Sequence, residues 1–415
     1  MNGNKHKGDG WFVSHYNYLQ EVWNILPKID IPKRVLIHDV TLRDGEQQAG
    51  IVFRKDDKIK IAQALAEAKV DRIEAGMPTV SEEDFLAVKE IASMRLGPKV
   101  FAFARCMTYD AELARKADVD GVVMEIPSSD HLIELGYGWT VEKAVKLATE
   151  ATRYAHEHGL QVIFFTIDAT RANLDIFTKI IKAVETEGYM DSLTLADTFG
   201  VMNPLAMYHL IKQIKQVIHK PIEIHAHNDF GMAVANSIFA VLAGAEVIHT
   251  SINGIGERTG NTPLEEVVMA MKYLFGISTN VDTTKLRKLS KIVAELSGVR
   301  PPPQKPVVGD GIFTVESGIL VGWWSRLEGQ DLVTEMFPYR PEIVGHDPIK
   351  IVYGKKSGVD SVLYKARKMN INIDENIAKE ILLKIKSLAL QKKSLVDEKY
   401  VEDLLLCVHG QQRRS

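Results

Sequence analysis

Cysteine is nearly absent from this chain: of 415 residues only Cys106 and Cys407 carry a thiol. They lie far apart and without metal-type spacing, which excludes a disulfide framework and a thiolate zinc site and fits two reduced thiols in a cytoplasm. Long apolar runs are missing too. No stretch reaches the roughly 18 apolar residues a membrane span needs, and the N-terminal MNGNKHKGDGWFVSHYNYL has no apolar segment leading to a small-residue cleavage site. Neither a membrane partner nor secretion is expected, and the expected location is cytoplasmic. Basic excess is also lacking. Lys and Arg number 51 against 54 Asp and Glu, a formal net charge of -3, so no nucleic-acid partner is expected.

What is present is an ordinary globular composition, 46% hydrophobic and 25% charged. From about residue 34 to 276, short β-rich runs alternate with longer helical patterns. VLIHDVT, RIEAG, VFAFA, GVVMEIP, QVIFFTI, SLTLAD, IEIHAH and EVIHTSI make eight candidate strands. Amphipathic segments such as KDDKIKIAQALAEAK and LDIFTKIIKAVETEG lie between them. Strict alternation implies parallel pairing through right-handed crossovers, and eight units close a TIM (β/α)8 barrel of the α/β class. An open doubly wound sheet would show a glycine-rich first turn, whereas the first loop reads RDGEQQAG.

The expected organisation is an N-terminal extension over 1–30, a barrel over 31–290, a linker and first subdomain over 291–360, and a small helical C-terminal subdomain over 361–415. LSGVRPPPQKPVVGDGIF supplies the Pro/Gly-rich linker. The amphipathic tail is expected to serve packing or dimerisation, with a homodimer as the expected assembly.

A barrel keeps its chemistry in the loops after the strands, which explains why HDVTLRDGEQQ crowds charge against a buried strand. Arg43 and Asp44 stand there. On the seventh strand, IEIHAHND places His225 and His227 two apart, hence on one face and at the barrel mouth. Paired imidazoles aimed into one cavity suggest a metal, although HxH is short and two histidines held by backbone hydrogen bonds would look the same. Hard oxygens should come from neighbouring strand ends: Asp44 follows strand one and Asn261 follows strand eight, beside it. Imidazoles, a carboxylate and an amide oxygen suit a divalent metal ion such as Zn2+, Mn2+ or Mg2+. Asp229 is expected to cap the following helix.

DVTLRDGEQ, RIEAGMP, LADTFG, HAHNDFGMAVANS and NGIGERTGN, in that order, resemble the motifs of the DRE-TIM metallolyase superfamily. The resemblance covers roughly residues 34 to 276 and is to its Claisen-condensing branch of isopropylmalate, homocitrate and citramalate synthases. It implies Asp44, His225, His227 and Asn261 as metal ligands, Arg43 polarising the carbonyl under attack, Glu74 completing the Asp-Arg-Glu signature, and Thr198 holding a 2-oxo acid carboxylate. Gln47 and Arg105 are further candidates for substrate binding; Gln47, Arg105 and Asp168 could equally brace the strands. Glu74 could simply pair with Arg43 or Arg105. The implied reaction condenses an acyl-CoA, expected to be acetyl-CoA, with a 2-oxo acid to give a 2-hydroxy diacid. FPYRPEIVGHDPIKIVYGKKSG resembles the family's C-terminal segment. The chain stops before the large regulatory domain of allosteric members, so feedback by that route is not expected.

Two departures bear on the reaction. The condensing synthases carry a catalytic Glu after strand five where FFTIDATR has Ile167, and a His where SGILVGWW has Leu320. A third change nearby is Lys356, where the family has His. Losing two proton-transfer groups, each worth about 100- to 10,000-fold, leaves His131, Glu125 or Tyr339 to abstract the acyl-CoA proton. The alternatives are a metal-dependent C–C lyase or aldolase of the HMG-CoA lyase type and a non-catalytic metal-binding scaffold. Phe164 and Phe165 suggest an apolar side-chain pocket, which tilts against 2-oxoglutarate.

Overall fold

The structure, a computed structural model, describes residues 7–18, 23–24, 31–330 and 332–412. Most of the expected N-terminal extension therefore lies outside the described residues, as do the last three residues of the tail. The chain divides into two compact units, Ser14–Pro302 with Pro306–Val308, and the remaining residues.

The first unit is a closed barrel of eight parallel strands. They are β1 (Leu36–Asp39), β2 (Arg72–Glu74), β3 (Lys99–Arg105), β4 (Gly121–Pro127), β5 (Gln161–Ile167), β6 (Ser192–Asp197), β7 (Ile222–Ala226) and β8 (Val247–Thr250). Closure pairs β8 with β1, His249 opposite His38 and Thr250 opposite Asp39. Strands covered on both faces read as apolar runs, and all six residues of β6 are buried. Phe101, Phe103, Val123, Ile163, Phe165 and Ala196 form an inner layer. Each buried phenylalanine contributes about 1.5–3 kcal/mol relative to exposure.

Helices α1 (Lys55–Glu67), α2 (Glu82–Ser93), α3 (Thr108–Lys116), α4 (Val141–Glu157), α5 (Leu174–Thr186), α6 (Pro204–Ile214), α7 (Ala233–Ala243) and α8 (Leu264–Leu274) follow the strands in turn, and α9 (Leu286–Ser297) completes the unit. Several start at side-chain caps. Ser81 accepts from the Asp84 amide, Thr140 from Lys143, and Asn203 from Ala206 ahead of Pro204.

Two local expectations change. His227 leaves the β7 ladder to form an antiparallel bridge with Asn261, so the strand ends at Ala226. Asp229 does not cap α7. Asn228 Oδ1 accepts from the Ala233 amide instead, at 3.1 Å, while Asp229 pairs with Arg258 through two contacts of 2.9 and 3.0 Å.

The second unit carries α10 (Gly318–Leu327), α11 (Val359–Lys368), α12 (Glu375–Lys392) and α13 (Glu398–Gln412). Tyr353, Val362, Ile381, Ile385, Val401 and Leu405 pack as its core. Lys365 reaches Glu398 and Glu402, both at 2.6 Å. Among the described residues, no helix is long and apolar enough to cross a membrane.

Candidate active site

The site begins where β1 ends. Arg43 and Gly45 turn their amides back onto the Val40 carbonyl, both at 3.1 Å, which folds the segment over the barrel mouth. The Arg43 side chain is then built in from four sides. Its Nε donates to Glu74, its Nη1 to Asp44 and Gln47, each at 2.9 Å, and its guanidinium lies 3.8 Å over the Phe103 ring. Nη2 is buried and has no partner among the described residues. A fixed fork with one unused donor is an arrangement that can receive a developing negative oxygen.

Asp44, His225 and His227 each bring a ligand atom within 4.8 Å of the others, and all three are buried. The His225 Nε2 lies 3.4 Å and the His227 Nε2 3.9 Å from Asp44 Oδ2. The two ring nitrogens face one another at 3.3 Å. Two imidazole nitrogens facing each other can share one proton at most, so at least one lone pair is aimed at the space beside the carboxylate.

Charge states suit a cation. Burial holds His225 below the usual histidine range and pushes His227 down to about 4, so both rings are neutral near pH 7. Burial works against ionising Asp44, but Arg43 and His225 outweigh it and hold the carboxyl well below its ordinary value.

Asn261 meets this group through its amide nitrogen, which donates to Asp44 Oδ1 at 2.8 Å. Its Oδ1 is buried and has no partner among the described residues. A half-turn of the amide exchanges the two atoms without changing its shape, and it would set the oxygen beside Asp44. A side chain at Gly256 would run into Asn261 and Asp44, so the loop after β8 can approach only as glycine.

The substrate candidates separate. Gln47 is in the cluster through Arg43. Thr198 stands at the end of β6 and its Oγ accepts from the Asp168 amide at 2.8 Å. Arg105 engages Asp110 by a two-pronged contact, 2.8 and 3.0 Å, and is half exposed, so it joins the helix α3 start rather than the cluster. Glu74 pairs with Arg43 and with His38, not with Arg105. Asp168 braces the end of β5 by holding Ser129, His131 and Arg171. Leu320, Tyr339 and Lys356 belong to the second unit, where the Lys356 amide donates to Glu316.

A second buried group sits among the barrel strands. His38 meets Glu74 at 3.2 Å, His249 meets Glu223 at 2.8 Å, and Arg72 pairs with Glu223 at 2.7 Å. Apart from Glu74, these residues do not figure among the candidates above. Their sequence signal is polar residues two apart within apolar strands, as in Glu223-His225-His227 and Arg72-Glu74.

The fold and mouth therefore define a barrel protein with a three-residue nitrogen and oxygen cluster at the strand ends. Residues 34–293 match the HMGL-like family model, and the chain belongs to that family. Relatives matched along most of this chain are synthases by name. A probable 2-isopropylmalate synthase of Methanopyrus kandleri is 42% identical over 86% of this chain and 70% of its own length. Homocitrate synthase AksA of the same organism is 40% identical, covering 90% and 93%. A putative (R)-citramalate synthase CimA of Archaeoglobus fulgidus is 41% identical, covering 88% and 73%. Among solved structures, the HMG-CoA lyase of Bacillus subtilis superposes with a TM-score of 0.60 at 21% identity, over 67% of this chain and 98% of that one. This last likeness shows the fold alone.

Proposed function

We propose that this protein is a divalent-metal-dependent acyltransferase that condenses an acyl-CoA, most simply acetyl-CoA, with a 2-oxo acid to give a 2-hydroxy diacid. The observation that carries the reading is the agreement of three differently named synthases, each at 40–42% identity along at least 86% of the chain. The cluster at the mouth supports it. Asp44, His225 and His227, with Asn261 after its amide turns, would hold the ion, which supplies Lewis acidity to a chelated 2-oxo acid.

The chain's own residues supply the rest. Arg43, locked by Glu74 and Gln47, offers its unused Nη2 to the alkoxide that forms as the carbonyl is attacked. Thr198 keeps a hydroxyl hydrogen for the carboxylate of the 2-oxo acid, because its oxygen already accepts from Asp168. Phe103 and Phe165 present apolar faces beside Arg43 and suit a substrate with an uncharged side chain. The test is release of free CoA thiol over a panel of 2-oxo acids and acyl-CoAs, with Asp44→Ala as the blank. Release that needs both substrates and metal supports the reading; none with any pair rejects it.

A further inference from the structure

A condensation of this kind needs a group that takes a proton from carbon, and at the position after strand five this chain offers Ile167. Among the described residues, the barrel mouth holds a carboxylate, that of Glu125, with neither a hydrogen bond nor an ion pair. Glu125 lies on β4 in register with Arg105 of β3 and Phe165 of β5. Val123, two residues earlier, belongs to the inner layer, so Glu125 lies on the same interior face, one level nearer the C-terminal mouth. Phe165 in turn packs edge-on against His225, ring centroids 5.1 Å apart, and lies beneath Arg43. Glu125 thus borders the space that Arg43 and the histidines enclose.

Its isolation is the telling feature. The side chain is half-buried, yet its carboxylate has no hydrogen bond or ion pair among the described residues. Both nearby arginines have other carboxylate partners, Arg43 in Glu74 and Asp44 and Arg105 in Asp110, and the unused Arg43 Nη2 makes no hydrogen bond to Glu125. An unpaired carboxylate in a shielded site costs stability and is hard to account for as scaffold.

Resting on the synthase reading above, we propose that Glu125 is the proton-transfer group for the acyl-CoA. The Glu125 carboxylate takes a proton from the carbon next to the thioester carbonyl, and the C–H pair becomes the enolate. The enolate carbon bonds to the 2-oxo carbon, whose carbonyl pair moves onto oxygen beside Arg43 Nη2. Protonated Glu125 then returns its proton to that alkoxide, and water cleaves the thioester to a carboxylic acid and free CoA thiol.

Burial pushes Glu125 up to about 7 against the pull of Arg43 and Arg105, with Asp110 and Glu74 adding to the rise. Cys106 and Tyr137 also feel its charge. A base of that strength is matched to neutral pH.

The test compares wild type, Glu125→Gln and Glu125→Asp for CoA release, for exchange of acyl α-hydrogens with solvent deuterium, for metal content and for thermal midpoint. Glu125→Gln should lose about 100- to 10,000-fold in both turnover and exchange, with Glu125→Asp recovering part of each and metal content unchanged in both. Because the wild-type carboxylate is unpaired, Glu125→Gln should also melt higher at pH 8 while it turns over less, an opposition that a structural role would not give. Wild-type kcat/KM should fall about tenfold per pH unit below an apparent pKa near 7, and this limb should vanish from the residual activity of Glu125→Gln.

The proposal is overturned if Glu125→Gln stays within about threefold of wild type in both turnover and exchange, or if activity falls only together with bound metal. A wild type that exchanges deuterium but releases no CoA rejects the synthase reading and leaves Glu125 to be judged on exchange. One that does neither overturns both.

Discussion

Two clusters of buried histidine and carboxylate lie in one barrel, built from the same residue types, and they differ in how their charges are satisfied. Among the strands, His38 and His249 stack with ring centroids 4.4 Å apart, and each Nε2 faces a glutamate oxygen. Glu223 is further held by Arg72 and Ser192, and Glu74 by Arg43. At the mouth, the Nε2 atoms of His225 and His227 face one another, with a single carboxylate beside them. Among the described residues the Nδ1 atoms of all four rings have no partner, so the distinction lies at Nε2. At Nε2 the inner rings can each donate to a carboxylate, whereas the mouth rings face one another and leave at least one lone pair that a cation could take. His38, Glu223 and His249 also satisfy a bare distance criterion for a metal. On our reading the first group is scaffold and the second is the metal centre.

The sharpest way to break this comparison is to count ions. Elemental analysis should find one divalent ion per chain, and two would assign metal to the inner group as well. Asp44→Ala or His225→Ala should abolish bound metal and reduce CoA release beyond the roughly 10- to 100-fold that a supporting partner is worth. Glu223→Ala should do the reverse. It strips the partner from Arg72 and His249 and should cost about 3–5 kcal/mol, read from the urea midpoint, with metal stoichiometry unchanged.

Arg43→Lys falls between the two. One ammonium cannot serve Glu74, Asp44 and Gln47 while leaving a donor free, so kcat should drop about 100- to 1,000-fold with metal retained. Smallest is Arg258→Ala, which removes a partly exposed pair with Asp229 and should change stability by less than about 1 kcal/mol.

Much of the barrel is legible before any coordinates, because period-two and period-3.6 patterns alternate eight times and parallel strands must be apolar on both faces. Asp44, His225 and His227 are legible for a related reason: polar residues at the end of an apolar strand have only the barrel mouth to enter. The inner group escapes notice because His38, Glu223 and His249 look like ordinary strand positions until closure sets β8 against β1. Arg105 misleads because its partner Asp110 sits five residues on, across a strand-to-helix turn that no local spacing announces. Asp229 misleads in the same way, since a short polar residue near a helix start reads as a cap while Asn228 does that work.

Asn261 donates to Asp44 across 217 residues of chain. During synthesis the first of these groups leaves the ribosome long before the last, and a nascent chain halted before residue 261 could fold several of its strands yet present only fragments of the centre. On the proposed reading of these residues as an ion site, uptake would wait until the sheet has met its own beginning and would serve as a late checkpoint on folding.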